Sequence, residues 1–162
     1  MKLSTAISLS AAVVGTLAIA IAPAIAQPRN FTVASSGSQV SIQTNGQAFS
    51  GPIRGTAGGN MDSVGCGWMS NTPNHTFTIG PGGIVSMKLS VTDANGGTQK
   101  PYTLMIKNAS DPNATPFCAI ADPFSNAKAE IGGVWNPGNY QVFIGNFETQ
   151  NQKDAYVLNI SP

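Results

Sequence analysis

The chain has 162 residues, a single histidine and a formal net charge of +1, with charged side chains making up only 9% of it. That balance leaves no electrostatic footprint for nucleic acid or an anionic membrane surface. The length suits one ordinary domain with its own core. General acid–base chemistry has little to draw on, since His75 is the only histidine and Glu130 and Glu148 are the only glutamates.

Residues 1–26 have the layout of a secretory signal peptide. Lys2 gives a basic start, a largely apolar run follows from Ala6 towards Ile25, and Ala24-Ile25-Ala26 places small residues where a signal peptidase reads. Ser4, Thr5, Ser8, Ser10, Gly15 and Thr16 dilute the run and Pro23 breaks its end. A retained anchor needs roughly 20 apolar residues in line, so cleavage after Ala26 is the expectation. No later segment is long and apolar enough to cross a membrane. Removing the leader takes Lys2 with it and leaves equal numbers of basic and acidic side chains. The expected organisation is a signal peptide over 1–26, a loose lead-in over 27–37 and one domain over 38–162.

Beyond the lead-in, short stretches alternate apolar and polar residues with a period of two. They are Val40–Ile42, His75–Ile79, Ile84–Val91, Tyr102–Lys107, Tyr140–Phe147 and Ala155–Ile160. Such alternation predicts strands with one face on a core and one in water. The second face of Tyr140–Phe147 is also partly apolar, through Phe143 and Phe147. Asn45-Gly46, Asp93-Ala94-Asn95-Gly96-Gly97, Asp111-Pro112-Asn113 and Asn136-Pro137-Gly138-Asn139 supply turn chemistry between strands. A helical turn fits best at Ala127–Ile131, and no segment sustains a 3.6-residue period. The pattern predicts an all-β fold: a single antiparallel β-sandwich, jelly-roll-like in character.

Cys66 and Cys118 are the two cysteines. In an oxidising compartment they are expected to form a disulfide, stabilising the fold by roughly 4 kcal/mol through loop-closure entropy. They lack the C-x-x-C spacing of a redox pair. Trp68 and Trp135 are the candidate ligand-binding aromatics, because exposed rings can stack on sugars or anchor a partner. The alternative is that Trp68 covers the disulfide and Trp135 caps the core. Asp93, Asn95, Asp111 and Asn113 are candidate calcium ligands, as calcium takes loop oxygens, although Asp and Asn also favour turns for local reasons. His75 reads as an ordinary strand residue and the glutamates as solvated loop charges. Sequons begin at Asn30, Asn74, Asn108, Asn113 and Asn159, and the Ala-rich leader favours a bacterial origin in which they carry no glycan.

The closing strands carry a family pattern. Asn136-Pro137-Gly138-Asn139-Tyr140-Gln141-Val142-Phe143-Ile144-Gly145-Asn146-Phe147 is a Pro-Gly turn leading an aromatic strand, and Ala155-Tyr156-Val157-Leu158-Asn159-Ile160 is a final strand begun by a tyrosine. Over about residues 83–160 this resembles the bacterial pre-peptidase C-terminal domain family. The resemblance implies a jelly-roll-like sandwich of secreted proteins, usually beside a catalytic domain, with fold relatives that bind extracellular polymers, some using calcium. The cysteine pair and the stretch Asp111–Asn126 fall outside the pattern, and the family's usual peptidase neighbour is not expected within these 162 residues. The expected function is that of an exported non-catalytic module, structural or binding, in the periplasm or outside the cell. Its partner would be an extracellular polymer or a cell-envelope component. A carbohydrate- or polymer-binding domain using exposed aromatics, with or without calcium, is the alternative, and a secreted hydrolase or its accessory domain stands third.

Overall fold

The computed structural model describes residues 29–36 and 39–162. The leader read over 1–26 lies outside them, as do residues 27, 28, 37 and 38. Thirteen strands follow in order among the described residues: β1 (Asn30–Ser36), β2 (Gln39–Thr44), β3 (Gln47–Phe49), β4 (Ile53–Ala57), β5 (Met61–Asp62), β6 (Trp68–Met69), β7 (His75–Ile79), β8 (Val85–Asp93), β9 (Tyr102–Asn108), β10 (Phe117–Ile120), β11 (Ala129–Trp135), β12 (Gly138–Asn146) and β13 (Asp154–Ser161). None of these residues is helical, and among them no helix is long and apolar enough to cross a membrane.

Two sheets face each other. The larger runs β10-β9-β12-β7-β1-β2-β3, with the short β5–β6 hairpin attached to β12. The smaller runs β11-β8-β13-β4. All pairings are antiparallel except β1 with β7. The chain is an all-β sandwich, as its two-residue rhythm predicts. On β8, Val85, Met87, Leu89 and Val91 enter the core together, and on β12, Tyr140, Val142 and Ile144 meet them from the other sheet. An aromatic spine runs through this core. Phe77 stacks on Phe31 at 5.8 Å and on Tyr140 at 4.8 Å, and Trp135 stands edge-on to Phe77, Tyr140 and Phe117.

Two expectations need correction. Residues 30–36 are not a loose lead-in. They form β1, which pairs with both β2 and β7 and buries Phe31 and Val33. Nor does Ala127–Ile131 hold a helical turn, because Ala129–Trp135 is a strand that pairs with β8 along its whole length. The apolar residues Ala129, Ile131 and Trp135 fall on alternate positions there, and the two glycines between them hide that rhythm in the sequence.

A second, smaller core lies on the outer face of the large sheet. Met105 of β9 and Phe143 of β12 point away from the main core, and Cys66, Met69 and Met61 of the β5–β6 arm cover them. The arm lies close. A Cβ on Gly145 would come within 2.7 Å of Trp68 O, and one on Gly67 (φ +79°) within 2.6 Å of Asn146 O. Only glycine permits that approach. The Cys66–Cys118 disulfide ties the arm to β10.

Candidate functional site

The candidate calcium ligands do not come together. Asp93 Oδ1 accepts the main-chain N–H groups of Asn95 and Gly97, each at 2.8 Å. Asp111 Oδ1 accepts that of Asn113 at 3.1 Å. The two pairs sit before and after β9, at opposite ends of a seven-residue strand. Each aspartate closes its own turn, the local role such residues favour. Among the described residues no three His, Cys, Asp or Glu side chains gather in a way that could hold a metal ion.

The two tryptophans have different settings. Trp68 is half-buried on β6, paired with Asn146 of β12 and two residues from the disulfide. Trp135 is 4% exposed, lies between the sheets and donates its indole N–H to Met87 O at 3.0 Å. Its ring is therefore core, and it offers no exposed stacking platform. A buried tryptophan and an exposed one read alike in sequence, since both are single large aromatics beside turn residues.

The buried groups able to move protons are occupied structurally. His75 Nε2 and the Tyr156 hydroxyl share a hydrogen bond of 2.6 Å deep between the sheets. Burial raises the Tyr156 pKa above its ordinary value, against smaller opposing effects from Asn74 and Arg29, so that the hydroxyl keeps its proton. Asp154 is nearly buried and pairs with Lys100, with the Asn146 amide donating to its other oxygen at 3.3 Å. Burial alone would raise its pKa. Hydrogen bonds from Lys100, Gln152 and Asn146, with the Lys100 charge, outweigh that and hold it below the usual value. Beside it, the Tyr102 hydroxyl donates to Ala155 O at 2.6 Å. Its pKa is pushed up to about 12 by burial and by the charges of Asp154 and Asp93. Glu130 pairs with Lys88 at 3.2 Å on the surface, and Glu148 is exposed. His75 faces a tyrosine, and the carboxylates lie on other elements.

Two gaps open where the sheets end. One, of about 500 Å3, lies between the β2–β3 hairpin and the edge of the small sheet, lined by Val40, Ile42, Phe49, Ile53 and Ile160. The other, of about 240 Å3, lies at the opposite side between β10 and β11. Its walls are Phe117, Ile131, Trp135 and Tyr140, with Asn108 and Asn136 at the rim. No charged side chain lines it. Trp135 and Tyr140 spend their polar atoms inside the protein, the tyrosine hydroxyl donating to Asn136 O at 2.9 Å. The cavity is consequently lined by aromatic and aliphatic carbon, by the main chain of Gly132 and Gly133, and by the uncharged polar side chains of Asn108, Thr115 and Asn136. The composition of β11 offers no positive signal for this gap, because what opens it is a glycine.

No family model matches the chain, and no curated protein matches it significantly. A solved structure, the pre-peptidase C-terminal domain of a collagenase from Bacillus anthracis, is similar at 13% sequence identity with a TM-score of 0.46. The match covers 83% of this chain and 95% of that one. This is a weak fold-level resemblance, and the sandwich architecture rests on the two sheets themselves.

Proposed function

We propose that this chain is an exported, non-catalytic β-sandwich that serves as a structural or binding module in the periplasm or at the cell exterior. One observation carries the reading: Cys66 and Cys118 are joined, and the Cys118 end of the link is exposed on β10. An exposed disulfide persists where thiol reductants are absent, which is outside the cytoplasm. The small charged fraction and the leader pattern agree with that compartment. The non-catalytic part is supported by what the titratable groups do. His75, Tyr156 and Tyr102 link strands, and Lys100 ties the segment before β9 to Asp154 of β13. The partner this reading implies is an extracellular polymer or cell-envelope component.

Fractionation tests the reading directly. The chain, expressed behind its own first 26 residues in a bacterium, is expected in the periplasm or medium, beginning at Gln27 and carrying no alkylatable thiol. Full-length protein in the cytoplasm with two reactive thiols would overturn it.

A further inference from the structure

The gap between β10 and β11 is built by two strands that start together and then part. Asp122 and Ala127 exchange main-chain hydrogen bonds of 2.9 and 3.0 Å at a shared turn. Beyond that bridge, β10 joins β9 at one end of the large sheet, and β11 joins β8 at one end of the small sheet. Among the described residues each is the last strand of its sheet. In an antiparallel strand alternate residues turn their N–H and C=O groups away from the partner. The outer edge of β11 thus presents main-chain donors and acceptors to the gap, and such an edge is a template for another strand.

Inside the gap one side chain is missing. Ala129, Ile131, Gly133 and Trp135 make up the inward row of β11, opposite Val91, Leu89, Met87 and Val85 of β8. Three members of that row are buried and Gly133 is exposed. A Cβ added to Gly133 would meet nothing within 4 Å. The glycine therefore admits no neighbour closely, unlike Gly145 or Gly67. It leaves a hole, walled by Phe117, Ile131, Trp135 and Tyr140, with the uncharged polar residues Asn108, Thr115 and Asn136 completing the lining. At about 240 Å3 the hole is smaller than the roughly 300 Å3 at which small-molecule sites begin, and it suits one side chain. Val134, 70% exposed, and Phe117, 53% exposed, add apolar surface at the entrance beside the polar Asn108 and Asn136.

We propose that this gap receives an extended polypeptide segment, which pairs its main chain with the free edge of β11 and places one uncharged apolar side chain in the hole left by Gly133. The inference rests on the reading of the chain as a binding module and names its partner's chemistry. A sugar fits less well, because Trp135 and Tyr140 are only 4% and 5% exposed, which leaves Phe117 alone among these three rings with a face to offer it. Free main chain beside a single apolar hole is the arrangement by which a strand is added to a sheet edge and read through alternate side chains. The uncharged lining sets the inserted residue, since a charge there would lose its water without gaining a partner.

The test uses a phage-displayed library of random heptapeptides, panned against the disulfide-intact protein and against its Gly133→Leu variant. Gly133 lies outside the left-handed backbone region and has open space around it, so the variant is expected to fold with an unchanged or raised melting temperature. The wild type is expected to enrich sequences with an apolar residue flanked by strand formers. The synthetic forms of these peptides should shift the amide signals of Gly132 and Gly133 and the indole N–H of Trp135. Gly133→Leu should weaken their binding about tenfold or more, the loss of one buried apolar side chain, and N-methylation at alternate peptide bonds should do the same. Absence of enrichment over Gly133→Leu, equal affinity for both proteins, or shifts confined to another surface would overturn the proposal. So would maltoheptaose moving the same amides, which would give the gap to a sugar, or self-association abolished by Gly133→Leu, which would give it to a second copy. If the peptide arms fail while the chain is still found oxidised outside the cell, this site is lost and the proposed function stands.

Discussion

Between the sheets, Leu104 and Ile106 of β9 meet Val142 and Ile144 of β12 because the two strands carry them inward at every second residue. Met105 and Phe143 sit between those residues and face the other way. They are buried as well, beneath the β5–β6 arm. One core follows from the pleat. The other depends on an arm of short pairings, on glycines that let it lie flat and on one sulfur link that holds it down. Apolar burial in the two places is chemically alike, but the sandwich is secured by many strand pairings and the arm by few. The arm is the part of the molecule that a single covalent change can release.

Mutations can break or sharpen that contrast. Phe77 is fully buried at the centre of the aromatic spine, so Phe77→Ala should cost about 3–5 kcal/mol, measured by urea unfolding, and should lower the stability of every strand together. The double variant Cys66→Ser, Cys118→Ser should cost roughly 2–4 kcal/mol. Its signature beyond that global loss is local: amide exchange should accelerate more between Met61 and Met69 than in β9 and β12. Uniform acceleration would mean that the two cores are one cooperative unit. Met105→Ala should cost about 2 kcal/mol, and in the cysteine-free background it should cost less, because the lid over it has loosened.

The smallest expected effect is one of pH. Asp154 has a pKa lowered in the folded state, so the native protein binds that proton more weakly than the unfolded chain does. Its contribution is complete above about pH 4, the unfolded carboxylate value, and is lost as pH falls below it. Lys100→Met should flatten that acid limb by about 1 kcal/mol, read from unfolding curves between neutral pH and pH 3. An unchanged limb would place the acid sensitivity elsewhere.

The strands that announced themselves were those whose inward row is large. Val85, Met87, Leu89 and Val91 can be read in one glance, and so can Tyr156 and Leu158. β4 could not be read, because two of its inward positions are Gly55 and Ala57. Gly55 is small because Tyr156 fills the space: a Cβ on it would lie 2.3 Å from the tyrosine hydroxyl. β10 was hidden for the opposite reason, since Phe117-Cys118-Ala119-Ile120 is apolar on both faces and alternation disappears. In the candidate site, aromatic content pointed to Trp135 as a ligand platform, whereas the opening beside it comes from the side chain that Gly133 lacks. An absence of that kind becomes visible only when the register places Gly133 in line with Ile131 and Trp135.

The parallel pair β1–β7 sets an order of events. Asn30 lies beside Thr76, 46 residues further along the chain. A polypeptide leaving a channel with its amino end first delivers β1 long before the strand it must lie against. Until β7 arrives, Phe31 has only the β2–β3 hairpin for company, and the large sheet cannot assemble from its first strand outward. The sandwich must close around its early segment late, after the middle of the chain has cleared the exit.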